Sequence, residues 1–155
     1  MALEIERKFL VTGDFRAHVS SSTRMIQGYL CAEPERTVRI RLAGEQGFLT
    51  IKGSPSTSGL VRYEWERELP ITEALELLNL CQAARIEKIR HRIDFAGNTY
   101  EVDQFHGENE GLVIAELELD DEDQAFERPS WLGTEVTGDP RYYNSSLIQK
   151  PYCDW

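Results

Sequence analysis

Hydrophobic and polar positions alternate with a period of two over most of this chain. The first ten residues set the pattern: Glu4, Glu6 and Lys8 interleave with Leu3, Ile5 and Phe9. In an extended strand successive side chains point to opposite faces. Glu4, Glu6 and Lys8 then share one face, and Leu3, Ile5, Arg7 and Phe9 the other. The same alternation recurs at 23–32, 36–42, 48–52, 61–69, 84–95, 99–105 and 112–119. With the first segment, which runs to about Val11, these make eight predicted strands. Turn-forming residues separate them, at Thr12-Gly13-Asp14, Glu33-Pro34-Glu35, the 43–47 hairpin loop, Gly53–Gly59 and His106–Gly111. Gly97-Asn98 reads as a tight hairpin turn and Ser20–Thr23 as a polar loop.

The helical period appears only briefly. Thr72–Cys81 is the clearest helix, with Thr72 as N-cap and Glu73 at the positive end of the dipole. Ala74, Leu75, Leu77, Leu78 and Cys81 form its apolar stripe. A short helical turn is expected within Asp14–Val19. Asp120–Asp123 caps a short helix to about Glu127, and Asp139-Pro140 opens a terminal helix to about Lys150. Hairpin-length links favour antiparallel pairing, and eight antiparallel strands can close into a barrel. The predicted fold class is α+β, mainly β: an eight-stranded antiparallel closed barrel with a few short helices packed outside, one domain over 1–155.

The charges decide how such a barrel is used. Lys8, Arg39, Arg41, Lys52, Arg62, Lys88 and Arg90 fall in mid-strand on the polar faces. So do Glu4, Glu6, Glu64, Glu66, Glu101, Asp103, Glu116 and Glu118. Facing outward, they would surround a dry core. Facing inward, they would line a wet tunnel, because desolvating each ion in a dry interior is too costly. The opposite faces carry Val38, Ile40, Ile51, Tyr63, Trp65, Ile89, Val113 and Leu117, which three amphipathic helices can cover from outside.

Composition narrows the partners. Acids outnumber bases 27 to 17, for a net charge of −10. That argues against nucleic acid and leaves room for a small anion in a locally basic pocket. Cys31, Cys81 and Cys153 form no CxxC pair, which argues against a disulfide framework and fits a reducing compartment. No apolar run has membrane-spanning or signal-peptide length, so the expectation is a cytoplasmic protein with no membrane partner. Many barrels of this size pair through an outer face, so a homodimer is one assembly open to it.

Clustered Arg and Lys bind phosphate oxygens. Paired carboxylates hold Mg²⁺ or Mn²⁺ in company with substrate phosphates. Both sets in one cavity point to a metal–polyphosphate complex. A Walker loop, HExxH and GxSxG are all absent, and His18, His91 and His106 are scattered.

These residues resemble a known family. Glu4-x-Glu6-x-Lys8 is similar to the ExExK signature of the CYTH superfamily, the triphosphate tunnel metalloenzymes. Arg39-x-Arg41, Lys52, Glu64-x-Glu66, Glu87-Lys88-x-Arg90, Glu101-x-Asp103 and Glu116-x-Glu118 follow in the family's order. The tail Glu135-Val136-Thr137…Arg141-Tyr142-x-Asn144 resembles the short bacterial members. The resemblance implies a tunnel with the charges inside and divalent-metal-dependent hydrolysis of a triphosphate, inorganic triphosphate first. It implies that Glu4, Glu6, Asp103, Glu116 and Glu118 serve the metals, with two Mg²⁺ or Mn²⁺ ions per site. Arg39, Arg41, Lys52, Lys88 and Arg90 would clamp phosphates, with Arg62 beside them. Glu64, Glu66 and Glu101 would complete the lining. Lys8 would sit beside the attacked phosphorus, as general base or as charge stabiliser, with Tyr29 as an auxiliary tyrosine. The alternatives are a class IV adenylate cyclase-like reaction, thiamine triphosphatase activity, a non-catalytic polyphosphate-binding module, and a plain barrel with outward charges.

Overall fold

The computed structural model describes residues 3–155. Met1 and Ala2, which belong to the first charged stretch and to the expected domain, lie outside the described residues. Eight strands form the wall: β1 (Leu3–Val11), β2 (Ser21–Glu33), β3 (Arg36–Ala43), β4 (Gln46–Pro55), β5 (Val61–Leu69), β6 (Ile86–Phe95), β7 (Asn98–Phe105) and β8 (Val113–Glu118). They hydrogen-bond in the order β5-β4-β3-β2-β6-β7-β8-β1, and β1 pairs back onto β5. Every pairing is antiparallel, so the expected closed barrel is present.

A ninth strand, β9 (Leu132–Glu135), was not expected. It explains how β1 is held. One edge of β1 pairs with β8 over Glu6–Leu10. The other edge is shared, with Leu3–Ile5 on β5 and Phe9–Val11 on β9. Where β5 and β9 part, the segment after β9 takes over. Lys8 N donates to Thr137 Oγ1 at 2.9 Å, and Val136 N donates to Lys8 O at 2.8 Å. The chain's tail is thereby stitched to the middle of the first strand.

One apolar cluster lies outside the barrel, because the strand period that turns charges inward turns the alternate residues outward. Phe9, Ile93, Tyr100, Val102, Ala115 and Leu117 form one buried cluster, covered by Phe15, Trp131 and Leu132. A second lies on the inward faces at one end of the barrel: Ile86, Phe105 and Ile114 share faces with Lys88, Asp103 and Glu116, and with Leu112 they pack against Tyr142, Leu147 and Ile148 of the tail. Over β2, β3 and β4 lies helix α1 (Ile71–Leu80). Glycines let it approach: a Cβ on Gly28 would meet Leu78 at 2.8 Å and Cys81 at 2.9 Å, and one on Gly47 would overlap the Ala74 Cβ.

Several local expectations are corrected. Helix α1 starts at Ile71 with Pro70 in the cap position, so Thr72 sits within the first turn and caps nothing. Leu75, expected in its apolar stripe, is exposed. Helical cover is limited to one side, since 120–127 forms no helix. There Asp121 Oδ1 accepts from Asp123 N and Gln124 Oε1 accepts from Asp120 N, side-chain bonds that compete with helix formation. The terminal helix is broken. A 3₁₀ turn at Pro140–Tyr142, capped by Asp139 as expected, gives way to an extended Tyr143 and a four-residue helix α2 (Asn144–Leu147). The β6–β7 turn is Ala96-Gly97, one residue earlier than expected, with φ of 50° and 82°, the pair of positive values that two-residue hairpin turns favour. Ser20–Thr23 is absorbed mainly into β2, and the Gly53–Gly59 loop is shortened because β4 continues to Pro55. The helical turn within Asp14–Val19 is present as a 3₁₀ turn at Arg16–His18. No helix among the described residues is long and apolar enough to cross a membrane.

Candidate active site

The inward faces enclose a cavity of about 250 Å³. Seven basic side chains line it: Lys8, Arg39, Arg41, Lys52, Arg62, Lys88 and Arg90. Seven acids do so too: Glu4, Glu6, Glu64, Glu66, Glu101, Glu116 and Glu118. Tyr29, Thr37 and Thr50 add neutral polar groups. Alternation along each strand brings these residues to one face, and antiparallel register sets their levels. Lys8 lies opposite Glu116, Glu6 opposite Glu118, Lys52 opposite Glu64, and Tyr29 opposite Arg39. The cavity thus gathers every ionisable residue expected in it except Asp103.

Asp103 is fully buried behind the lining. Both its oxygens are taken: Arg90 Nε donates to Oδ1 at 2.8 Å, Arg90 Nη2 to Oδ2 at 2.9 Å, and Lys88 Nζ to Oδ2 at 2.8 Å. Burial raises its pKa, but Arg90 and Lys88 outweigh that and hold it below the usual range. It orients two phosphate-clamp candidates instead of presenting oxygens to the cavity.

The bases fall into distinct environments. Arg39 and Arg41 share Glu66, at 3.5 and 3.4 Å. Burial, with Arg39 and Arg90 nearby, lowers Arg41 to about 10. Lys52 bridges Glu4 at 3.0 Å and Glu64 at 3.2 Å. Burial lowers its pKa, and the carboxylates of Glu4 and Glu6 more than reverse this. Lys88 is different: burial dominates and pulls it down to about 8, despite Asp103. Arg62 is set nearer the rim, its Nε donating to Gly53 O.

The acids are crowded in pairs. Burial, and then the charges of Glu116 and Glu4, push Glu6 well above the carboxylate range. Glu116 is buried too, but Lys8 and Arg90 hold it well below that range, and it accepts the proton that Glu6 keeps. Glu4 and Glu64 form a second such pair. Burial and the bond to Glu4 lift Glu64 to about 7; burial also raises Glu4, but Lys52 and the bond from Glu64 together outweigh it and lower Glu4. Glu118 is raised by burial and by Glu4 and Glu101. Among the described residues no three His, Cys, Asp or Glu converge into a ready metal cluster. The donor set nevertheless fits a hard divalent cation. It is all carboxylate oxygen, and its members share protons where a cation would relieve their mutual repulsion.

The tail supplies the remaining wall, and here the structure adds residues whose role the alternation could not reveal. Thr137, Gly138, Tyr143, Asn144 and Ser145 line the cavity. Lys8 Nζ donates to Tyr142 O at 3.3 Å and lies 5.4 Å from the centre of the Tyr143 ring. Asn144 Oδ1 accepts from Lys88 Nζ at 2.9 Å and from Gln27 Nε2 at 3.1 Å. The family-like tail pattern was the only signal in the sequence for these contacts.

A closed antiparallel barrel with a charge-balanced, polar interior defines a tunnel for a ligand that carries both anionic and cationic groups. Comparison with known proteins agrees. A family model described as the CYTH domain matches residues 2–152, and the chain belongs to this family. An inorganic triphosphatase of Acetivibrio thermocellus is 48% identical over 153 residues, covering 98% of this chain and 97% of that protein. One of Nitrosomonas europaea is 37% identical over 148 residues, covering 93% and 95%. A crystal structure of an inorganic triphosphatase superposes with a TM-score of 0.68 at 34% identity, covering 96% of this chain and 95% of that one.

Proposed function

We propose that this protein is a metal-dependent triphosphatase that hydrolyses inorganic triphosphate to pyrophosphate and phosphate within the tunnel. The observation that carries the reading is the lining itself, seven bases and seven acids around about 250 Å³. The similarity to two proteins named inorganic triphosphatase supports it. Phosphoryl transfer asks mainly for positioning and charge stabilisation. Arg39, Arg41, Lys52 and Arg90 clamp phosphate oxygens, with Arg62 at the rim. Glu4, Glu6, Glu116 and Glu118 would hold Mg²⁺ or Mn²⁺, two ions per site, and these would supply Lewis-acid neutralisation of the phosphate charge. Asp103 acts through Lys88 and Arg90. Lys8 stabilises charge at the attacked phosphorus, with Tyr29 beside the phosphates. Lys88 accepts the proton of the attacking water, since its pKa of about 8 leaves an appreciable neutral fraction near neutrality.

The test is phosphate release from inorganic triphosphate, ATP and thiamine triphosphate with Mg²⁺, Mn²⁺ or EDTA. Metal-dependent release from inorganic triphosphate, lost at least about 100-fold in Glu116→Gln, is expected. No release from inorganic triphosphate under any condition overturns the reading. A second reading has one observation in its favour. A chamber of about 620 Å³ adjoins the tunnel across Arg62 and Tyr143, with Leu30, Ala32, Pro34 and Pro140 in its wall. It would receive the organic group of a triphosphate ester, and faster release from thiamine triphosphate than from inorganic triphosphate would favour it.

A further inference from the structure

The C-terminal segment does more than close the tunnel wall. It enters the hydrogen-bonding of a reactive group. Lys88 is buried to within 2% and still borders the cavity. Its amine nitrogen has three positions besides the bond to its own chain. Asp103 Oδ2 accepts from it at 2.8 Å and Asn144 Oδ1 at 2.9 Å. These two acceptors come from opposite quarters, Asp103 from the neighbouring strand β7 and Asn144 from the start of α2. With two positions fixed, the third is fixed as well, a hydrogen in the ammonium form and a lone pair in the amine.

Asn144 is itself held. Its Oδ1 also accepts from Gln27 Nε2 at 3.1 Å, and Gln27 is fully buried in β2. Gln27 Oε1 has no partner, so the Gln27 amide is committed to Asn144 by its nitrogen alone. The extended Tyr143 that interrupts the terminal helix lies immediately before Asn144. The break therefore coincides with the point where the chain meets both donors.

We propose that Asn144 is a positioning residue: with Asp103 it takes two of the three positions on Lys88 Nζ and so aims the third into the cavity, at the water that attacks the bound triphosphate. This rests on the reading that the cavity takes a triphosphate. A lysine freed of one acceptor would keep its charge and lose its direction, and misdirection costs turnover more than ground-state binding.

The experiment compares the wild type with Asn144→Leu, Asn144→Ser and Asn144→Asp. Leucine removes the acceptor at similar size, serine shortens it out of reach, and aspartate keeps it. Expected for leucine and serine is a fall in kcat of roughly 10- to 100-fold with KM within about twofold; for aspartate, whose charge raises the Lys88 pKa, the kcat rise moves to higher pH and its plateau stays within about threefold of wild type. The second readout needs no activity. With only four lysines in the chain, the side-chain nitrogen resonances can be assigned. The Lys88 ammonium should give a slowly exchanging signal in wild type and Asn144→Asp that is lost in Asn144→Ser. Full kcat in the serine variant, or an unchanged Lys88 signal there, overturns the proposal. So does an aspartate variant whose kcat plateau at high pH is as low as that of serine. An inactive wild type with the expected resonance pattern would count against the triphosphatase reading and leave the positioning of Lys88 standing.

Discussion

Lys88 and Glu64 show how burial sets opposite outcomes on two charges of the same tunnel. Burial pulls Lys88 to about 8 and lifts Glu64 to about 7, so each is drawn towards its neutral form. For Lys88 the consequence is kinetic. A base that must be neutral is inactive below its pKa, so kcat should rise as pH increases through about 8. Lys88→Arg keeps the charge and has no neutral form in this range. Its kcat should fall at least about 100-fold and lose the rise. A pH–rate profile unchanged in that variant would refute the role. For Glu64 the consequence is stability. The folded state keeps a proton that the unfolded chain releases between the ordinary carboxylate range and about 7, so stability falls as pH rises through that window. Glu64→Gln removes the titration. Measured in EDTA, its Tm should exceed wild type at pH ~8 and match it at pH ~4; equal Tm differences at both would refute the assignment. At this scale the sequence was informative wherever a charge sat in mid-strand, which covers all fourteen ionisable groups of the lining. For Asn144 and Tyr142 it offered only the family-like tail pattern and no contacts, because these depend on where an irregular tail lands. It also could not separate Asp103 from Glu101, two residues away on the same strand face, because alternation fixes a face and not a depth.

Strands were legible because period two is a strong signal when one face is charged, and the wall needed every strand to carry it. The elements missed are those in which side-chain bonds or tertiary contacts override the local pattern. β9 is four residues long with a glycine inside, too short to alternate visibly. Its reason for being a strand is the free edge of β1 that β5 leaves behind. In 120–127 the Asx turn of Asp121 and the reach of the Gln124 amide back to Asp120 N compete with a helix, and Phe126 is drawn away to an edge-on contact with Phe9, 5.8 Å between ring centres. Helix α1 was legible in existence but not in its docking, which two glycines decide. Gly47→Ala would place a methyl on the fully buried Ala74 and force the helix outward. The expected cost is about 1–3 kcal/mol in denaturant unfolding, with kcat on triphosphate retained because the methyl points away from the tunnel. A neutral Gly47→Ala would mean that the helix contributes little to holding the barrel.

Across the whole molecule the two charge sets are in balance, and that balance governs what the tunnel accepts. Seven basic and seven acidic side chains neutralise one another in the lining, at the expense of bending each towards its neighbours: Lys52 onto Glu4, Arg39 and Arg41 onto Glu66, Arg90 onto Glu101 and Glu116. A polyanion arriving alone must pull the bases off these carboxylates and leave the acids uncompensated in a partly desolvated space. A divalent cation arriving alone leaves the bases in the same position. Arriving together, each relieves what the other exposes. The protein should therefore bind the two with positive coupling. Thermal shifts with a non-hydrolysable triphosphate analogue alone, and with Mg²⁺ or Mn²⁺ alone, should be small. The shift with both should exceed their sum, as expected when each ligand raises the other's affinity. Glu116→Gln, which removes an acid from the balance, should reduce that excess and increase the shift from the analogue alone. Strictly additive shifts in the wild type would show that the acids do not act on the anion through the cations, and the two charge sets would then have to be read as independent sites.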